Sequence, residues 1–289
     1  MFNIIRDIII FRIRSVGSMK KDNKKKKKKK IKVGPIYLSL LDFVSLIILF
    51  FVILVYLISP RRYAITTARY GQGSEEDNKN VEIAMGKNHT EERFRLYFQW
   101  YNVVHEIGHG VMIYNSDRKV SPAKGEQLAN DFAVAYWLYY GEEEKIKMLE
   151  DIVTYASENM KNDANGEDYL EYADKHWDDD SFFTFNNYGW FQFTSVKKSL
   201  ENRKTLDEVL YEMGIKEYKL NGNKLLIYET IDEDTSTQII DDAIDNINAW
   251  GLKMPKAIHH VSDDPNDNYS IPKKKFMGLF EIIDFGKVL

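Results

Sequence analysis

The sequence predicts a mainly α (α+β) fold: a helical domain with a small β-hairpin, preceded by one transmembrane helix. Three observations lead there. Residues 43–58 form an uncharged run rich in Ile, Leu, Val and Phe. Beyond residue 90, apolar positions recur every three or four residues in segment after segment, the period of a helix packed on one face. One segment differs: Asn221-Gly222 stands between Tyr218, Leu220 and Leu225, Ile227, which is a hairpin signal.

Composition narrows the chemistry. The 289 residues include 44% hydrophobic and 13% aromatic side chains, enough to build a core. There is no Cys, which excludes disulfides, thiolate metal sites and cysteine nucleophiles; a metal must be held by His and carboxylates. The net charge of −4 hides two opposed regions. Residues 1–59 carry 13 Lys+Arg and 3 Asp+Glu, leaving 27 and 41 for residues 60–289, a net of −14. The acidic body lacks the cationic surface that phosphate backbones require, so nucleic acid is not an expected partner.

In chain order, residues 1–35 are a basic tail, with ten lysines between Lys20 and Lys32. Residues 36–59 are apolar apart from Asp42, a few hydroxyls and two flanking tyrosines, Tyr37 and Tyr56. As a helix this stretch is long enough to cross about 30 Å of hydrocarbon. The expected partner there is the lipid bilayer. The lysine excess on one side, against Arg61, Arg62 and Arg69 on the other, favours a single-pass anchor with a cytoplasmic N-terminus and an extracytoplasmic C-terminal domain. Residues 60–89, with Gly71-Gln72-Gly73-Ser74 and the polar run Glu75 to Asn80, read as a flexible tether. The folded domain is expected over 90–289.

Thr90-Glu91-Glu92 predicts a helix start, with Thr90 as N-cap and acids in the first turn. The helix runs through Phe94, Trp100, Val104 and Val111 to about Tyr114, where Asn115-Ser116-Asp117 ends it. Inside it lies His105-Glu106-Ile107-Gly108-His109. This H-E-x-x-H spacing puts both histidines on one helix face, where their imidazoles can reach one Zn²⁺ while Glu106 faces a water polarised by it. Glu106 is then the general base. Gly108 and Gly110 each cost roughly 1 kcal/mol of helix propensity relative to Ala, which calls for a close approach, either by another helix or by a substrate.

Such a site needs a third protein ligand. A third histidine six residues past His109 is ruled out, because Asn115 stands there. A second helix, expected from Pro122 to Tyr140, offers Glu126. Asn130, at i+4, shares its face and can hydrogen-bond a ligating histidine from behind.

HEIGH followed by Glu126-Gln127-Leu128-Ala129-Asn130-Asp131-Phe132-Ala133 resembles the gluzincin-type zinc metallopeptidases, above all the ImmA/IrrE-like group. The likeness covers only about residues 103–138. It implies a zincin-like helical domain hydrolysing peptides or proteins, with His105, His109 and Glu126 as metal ligands and Glu106 as general base. One departure is Leu128, where the family often has a second glutamate. If that position carried the family's ligand, Asp131 would be the local substitute for Glu126.

The remaining chain reads as helices over Glu142 to Lys161, Tyr188 to Leu200, a capping-box start at Thr205 to Glu208, and Thr235 to Trp250. Peptide hydrolysis also needs a group that stabilises the oxyanion. His176, Tyr188, His259 and His260 are the candidates, none of them in a motif. His176 stands beside the acidic run Asp178 to Asp180, which reads as solvated, and His259-His260 lie in a segment that reads as loop. The expected activity is that of a membrane-anchored zinc metallopeptidase. Two other classes fit the same residues: a catalytically inactive zincin-like binding module, and a membrane-tethered helical interaction domain with an accidental HExxH. Retention of Glu106 argues against the first.

Overall fold

A computed structural model describes residues 30–33, 36–39, 63–72, 74–221 and 228–262. The chain divides into two compact units, residues 1–60 and 61–289. In the first, β1 (Lys30–Val33) and β2 (Ile36–Ser39) pair antiparallel, Lys30 opposite Ser39 and Val33 opposite Ile36. The first four residues of the expected transmembrane helix are therefore extended. They follow Gly34-Pro35, which is turn chemistry, and Ile36 and Tyr37 are good strand formers. Residues 40–59 of that span lie outside the described residues. Among the described residues no helix is long and apolar enough to cross a membrane.

The second unit is mainly helical, and it begins well before residue 90. β3 (Tyr63–Ala68) alternates buried and half-buried residues, with Tyr63, Ile65 and Thr67 turned inward. It pairs parallel with β4 (Ala257–Ser262), Tyr63 opposite Ala257 and Ala68 opposite Ser262. α1 (Glu75–Met85) follows, opened by a capping box between Ser74 and Asp77 and burying Val81, Ala84 and Met85. Both elements replace the expected tether. Two features conceal them: β3 is six residues long with small outward residues, and the polar run 75–80 is the solvated first half of a capped helix.

α2 (Thr90–Arg95), a π-helical segment (Leu96–Tyr101) and α3 (Asn102–Asn115) form one continuous rod. His89, in the left-handed region at φ 58°, precedes it as N-cap in place of Thr90. The Thr90 hydroxyl instead donates to the Gly86 carbonyl at 2.6 Å. α4 (Pro122–Tyr139) starts from Ser121, whose side chain accepts from the Lys124 amide, and has Pro122 in its first turn. α5 (Glu143–Asn159) and α6 (Tyr169–His176) lead to a second π-helical segment (Phe185–Gly189), which runs directly into α7 (Trp190–Asn202). α8 (Leu206–Glu212) carries the expected capping box of Thr205 and Glu208, and α9 (Glu233–Ala249) precedes β4. The expected hairpin is absent from its first arm, since residues 216–221 form no strand; residues 222–227 lie outside the described residues. The segment of His259 and His260, expected as loop, is β4.

α3 packs on α4, α4 on α7 and α8, α9 on α3 and β4, and α5 on α7 and α1. The core centres on Trp100 stacked on Trp137, ring centroids 4.3 Å apart, with Phe94, Tyr101, Ile107, Phe132 and Trp250 buried around them. A second cluster gathers Tyr172, Trp177, Phe182 and Phe191. Gly108 explains the closeness of α3 and α4. A Cβ there would stand 3.2 Å from the Ala129 Cα, the Ala129 carbonyl oxygen and a Phe132 ring carbon. At Gly110 a Cβ would collide with the Met254 side chain and meet the Tyr63 ring at 3.3 Å. The close approach at both glycines comes from the protein's own packing.

Gly108→Ala is expected to destabilise the fold by about 1–3 kcal/mol, because the obstructing atoms are mostly backbone and cannot swing away. Chemical denaturation reads this as a lower midpoint. A midpoint unchanged or raised, as helix propensity alone would give, contradicts the close crossing.

Candidate metal centre

The crossing of α3 and α4 brings three ligand atoms together. His105 and His109 project from the same face of α3, one turn apart, and Glu126 comes from the first turns of α4. His105 Nε2 and His109 Nε2 lie 3.1 Å apart. Glu126 Oε2 is 3.2 Å from the first and 3.4 Å from the second. Four ligands at the 2.0–2.1 Å bond lengths of zinc form a tetrahedron with edges of about 3.3 Å. The triangle of His105, His109 and Glu126 has the size of one face of that tetrahedron, and its two-imidazole, one-carboxylate donor set suits zinc. Among the described residues it is the one group of His and acidic side chains that could hold a metal ion. Its side chains are 4%, 23% and 16% exposed for His105, His109 and Glu126, so solvent reaches the site from the His109 and Glu126 side.

The electrostatics are those of a carboxylate, Glu126, facing the His109 imidazole. Burial opposes charge on His109, but the Glu126 carboxylate, its hydrogen bond and the nearby Glu106 overcome this and push the imidazole up to about 9. Burial likewise opposes charge on Glu126, yet His109 and His105 hold its carboxyl well below the usual range. Glu106 is half-buried beside this triangle, with Asn102 Nδ2 donating to it at 3.4 Å. The Tyr63 hydroxyl donates to the Glu106 backbone carbonyl, pinning the helix turn that carries it.

Behind the ligands sits Asn130, 1% exposed. Its Oδ1 is 2.7 Å from His105 Nδ1 and also accepts from the Tyr101 hydroxyl at 2.9 Å. Its Nδ2 donates to Ser195 Oγ at 2.9 Å and to Gln192 Oε1 at 3.2 Å, both on α7. Gln192 Nε2 in turn donates to Glu126 Oε2 at 2.7 Å and to the Tyr188 hydroxyl at 2.8 Å. Asp131, the other carboxylate in view as a third ligand, points elsewhere. Its Oδ2 is 2.9 Å from Lys204 Nζ, and its Oδ1 accepts from Gln127 and Ser199.

The four oxyanion candidates separate. Tyr188 stands at the site: burial, with the nearby Glu126 and Glu106 charges, pushes its hydroxyl well above the usual phenol range. His176, the last residue of α6, pairs with Asp179 at 2.7 Å. His259 is held in the sheet region between the Thr67 and Thr237 hydroxyls, at 2.8 and 2.6 Å. The side chain of His260 lies outside the described residues. Burial and the same two glutamates also push up Tyr97, a residue the sequence does not single out.

Gln192, Ser195 and Ser199 were hidden in a segment that reads as aromatic core. Their spacing of i, i+3 and i+7 is a polar stripe at helical period, and Gln127, Asn130 and Asp131 are buried polar residues on the facing helix α4. Two such stripes in apolar helices are the available signal, because buried polar groups need partners. No protein-family model, curated protein or solved structure matches this chain.

A metal entering the site must displace the His109 proton below pH 9 or so, because the metal-free imidazole holds it up to about 9. Apparent zinc affinity is therefore expected to rise with pH until about 9 and level off above, with proton release on binding below that point. Zinc titration against a competing chelator at a series of pH values checks this. Affinity that stays flat from neutral pH to about 9 contradicts it.

Proposed function

We propose that this protein is a zinc-dependent metallopeptidase, with His105, His109 and Glu126 as the protein ligands and Glu106 as general base. The observation that carries the reading is the triangle of ligand atoms, sized for one zinc ion, with two of its corners on a helix that also presents a carboxylate one residue after the first histidine. The resemblance of HEIGH and the following E-x-x-A-N-x-F-A to ImmA/IrrE-like metallopeptidases supports the same assignment. The substrate is a peptide or protein. The apolar run that continues beyond β2, residues 40–59, and the lysines before it support a single-pass anchor that holds the domain on the extracytoplasmic side of a membrane.

The chemistry that zinc supplies in such a site is acidification of water and polarisation of the scissile carbonyl. Glu106 takes a proton from the attacking water as its oxygen bonds to the carbonyl carbon. The carbon–nitrogen bond then breaks, and Glu106 returns that proton to the leaving amine. Asn130 holds the His105 ring in place through Nδ1. Tyr188 accepts from Gln192, which leaves its own O–H to donate to the carbonyl oxygen as negative charge develops there. Its raised pKa keeps that proton in place through the neutral range.

Glu106→Gln is expected to bind one zinc per chain, as the parent does, and to lose peptide hydrolysis. Metal analysis of both proteins with an assay on a mixed peptide library tests this. A parent that binds no zinc removes the enzyme reading, and a parent that binds zinc without hydrolysis points to a binding module. Tyr188→Phe should retain zinc and lose roughly 10²-fold in kcat; a change confined to KM assigns the tyrosine to substrate binding instead.

A further inference from the structure

Asp131 is a buried carboxylate that holds no ligand position, and its hydrogen-bonded surroundings lead back to His105. The polarity of that connection follows from donor and acceptor chemistry alone. An ionised carboxylate paired with Lys204 can only accept, so the Gln127 atom 2.8 Å from Asp131 Oδ1 must be the amide nitrogen. Gln127 Oε1 then faces Ser195 Oγ at 2.8 Å, and the serine must donate to it. With its proton committed, Ser195 Oγ accepts from Asn130 Nδ2 at 2.9 Å. That places Asn130 Oδ1 against His105 Nδ1 at 2.7 Å, and Nδ1 must carry the ring proton. When the ring is neutral, what remains on His105 is a lone pair at Nε2, the atom facing Glu126 and His109. Gln127, Asn130, Asp131 and Ser195 are all less than 5% exposed, so no solvent competes along the way.

We infer that Asp131 is a positioning residue which, through Gln127, Ser195 and Asn130, fixes His105 in the tautomer able to ligate a metal through Nε2. This rests on His105, His109 and Glu126 being the metal ligands. A metal-ligating histidine commonly has a carboxylate or carbonyl directly on its second nitrogen. Here the carboxylate acts at the end of a three-residue chain in which every bond donates in the same direction. Bonds aligned in this way polarise one another, so the negative end at Asp131 strengthens the acceptor at Asn130. A second chain reaches Asn130 from Glu126 through Gln192 and has the same polarity. It is longer at Asn130, 3.2 Å against 2.9 Å, and Gln192 is only half-buried.

The test removes that second chain first. Gln192→Ala leaves Asp131 as the one carboxylate orienting Asn130, and Asp131→Asn is then added to it. Nitrogen-15 shifts of His105 in the metal-free full chain, at a pH where the ring is neutral, report which nitrogen carries the proton. Gln192→Ala is expected to keep the proton on Nδ1, and the double variant to show a mixture of both tautomers. Zinc affinity, by chelator competition, should be about tenfold weaker in the double variant than in Gln192→Ala. Ile152→Val, a buried change in α5, should move neither readout. A double variant that keeps the proton on Nδ1 overturns the inference. Should the double variant fail to fold, Ser195→Ala in the Gln192→Ala background cuts the chain with the Asp131–Lys204 pair intact and is judged by the same criterion. If the parent takes up no zinc, the ligand assignment fails, and the nitrogen shifts still decide what Asp131 does.

Discussion

The candidate site depends on how closely α3 approaches α4 at Gly108. A helix spacing set by side chains is 8–10 Å; removing the side chain at the contact allows the lower end of that range. Gly108 lies on the turn between His105 and His109, and the atoms it meets belong to Ala129 and Phe132. The contact therefore falls between the two histidines on one helix and just beyond Glu126 on the other. A few tenths of an ångström of separation would open the triangle of ligand atoms, so packing in the core sets the size of the polar site.

That arrangement carries an energetic burden. Buried polar side chains cost free energy unless their hydrogen bonds are made, and a half-satisfied network is worse than an apolar core. Asn130, Gln127, Ser195 and Ser199 each have partners, and Asp131 is matched by Lys204, which also reaches Glu212 at 2.8 Å. Apolar residues would pack between α4 and α7 at less cost, since a buried ion pair is weak evidence for stability. The network instead removes freedom from the side chains behind the candidate metal centre.

The sequence discloses what is local and periodic. HEIGH needs only helical spacing to be read, and Glu126 and Asn130 follow from the same rule on the next helix; the structure then brings Glu126 to the histidines and pairs Asp131 with Lys204. The long helices were legible for the same reason. Residues 63–85 were not. β3 has six residues, and its partner β4 lies far along the chain, so no neighbouring pattern announces it. α1 buries only its last turns, which leaves its first half looking like linker. Gln192 was concealed differently: a single polar residue among Trp190, Phe191 and Phe193 gains meaning only once α7 is known to face α4. Tyr188 could be proposed from chemistry, whereas its nearness to Glu126 depends on the π-helical segment that leads into α7.

The parallel pairing of β3 with β4 has a mechanical consequence. Chain enters this unit just before Tyr63 and runs on past Ser262, and in a parallel ladder those two points lie at opposite ends. Tension applied through the two flanking segments would slide the strands along each other in shear. All the rungs of the ladder would then resist together, instead of opening one at a time from an end. β3 also covers the turn of α3 that carries Glu106, through Tyr63. The part of the fold that would bear a pull is thus the part that holds the proposed general base in position.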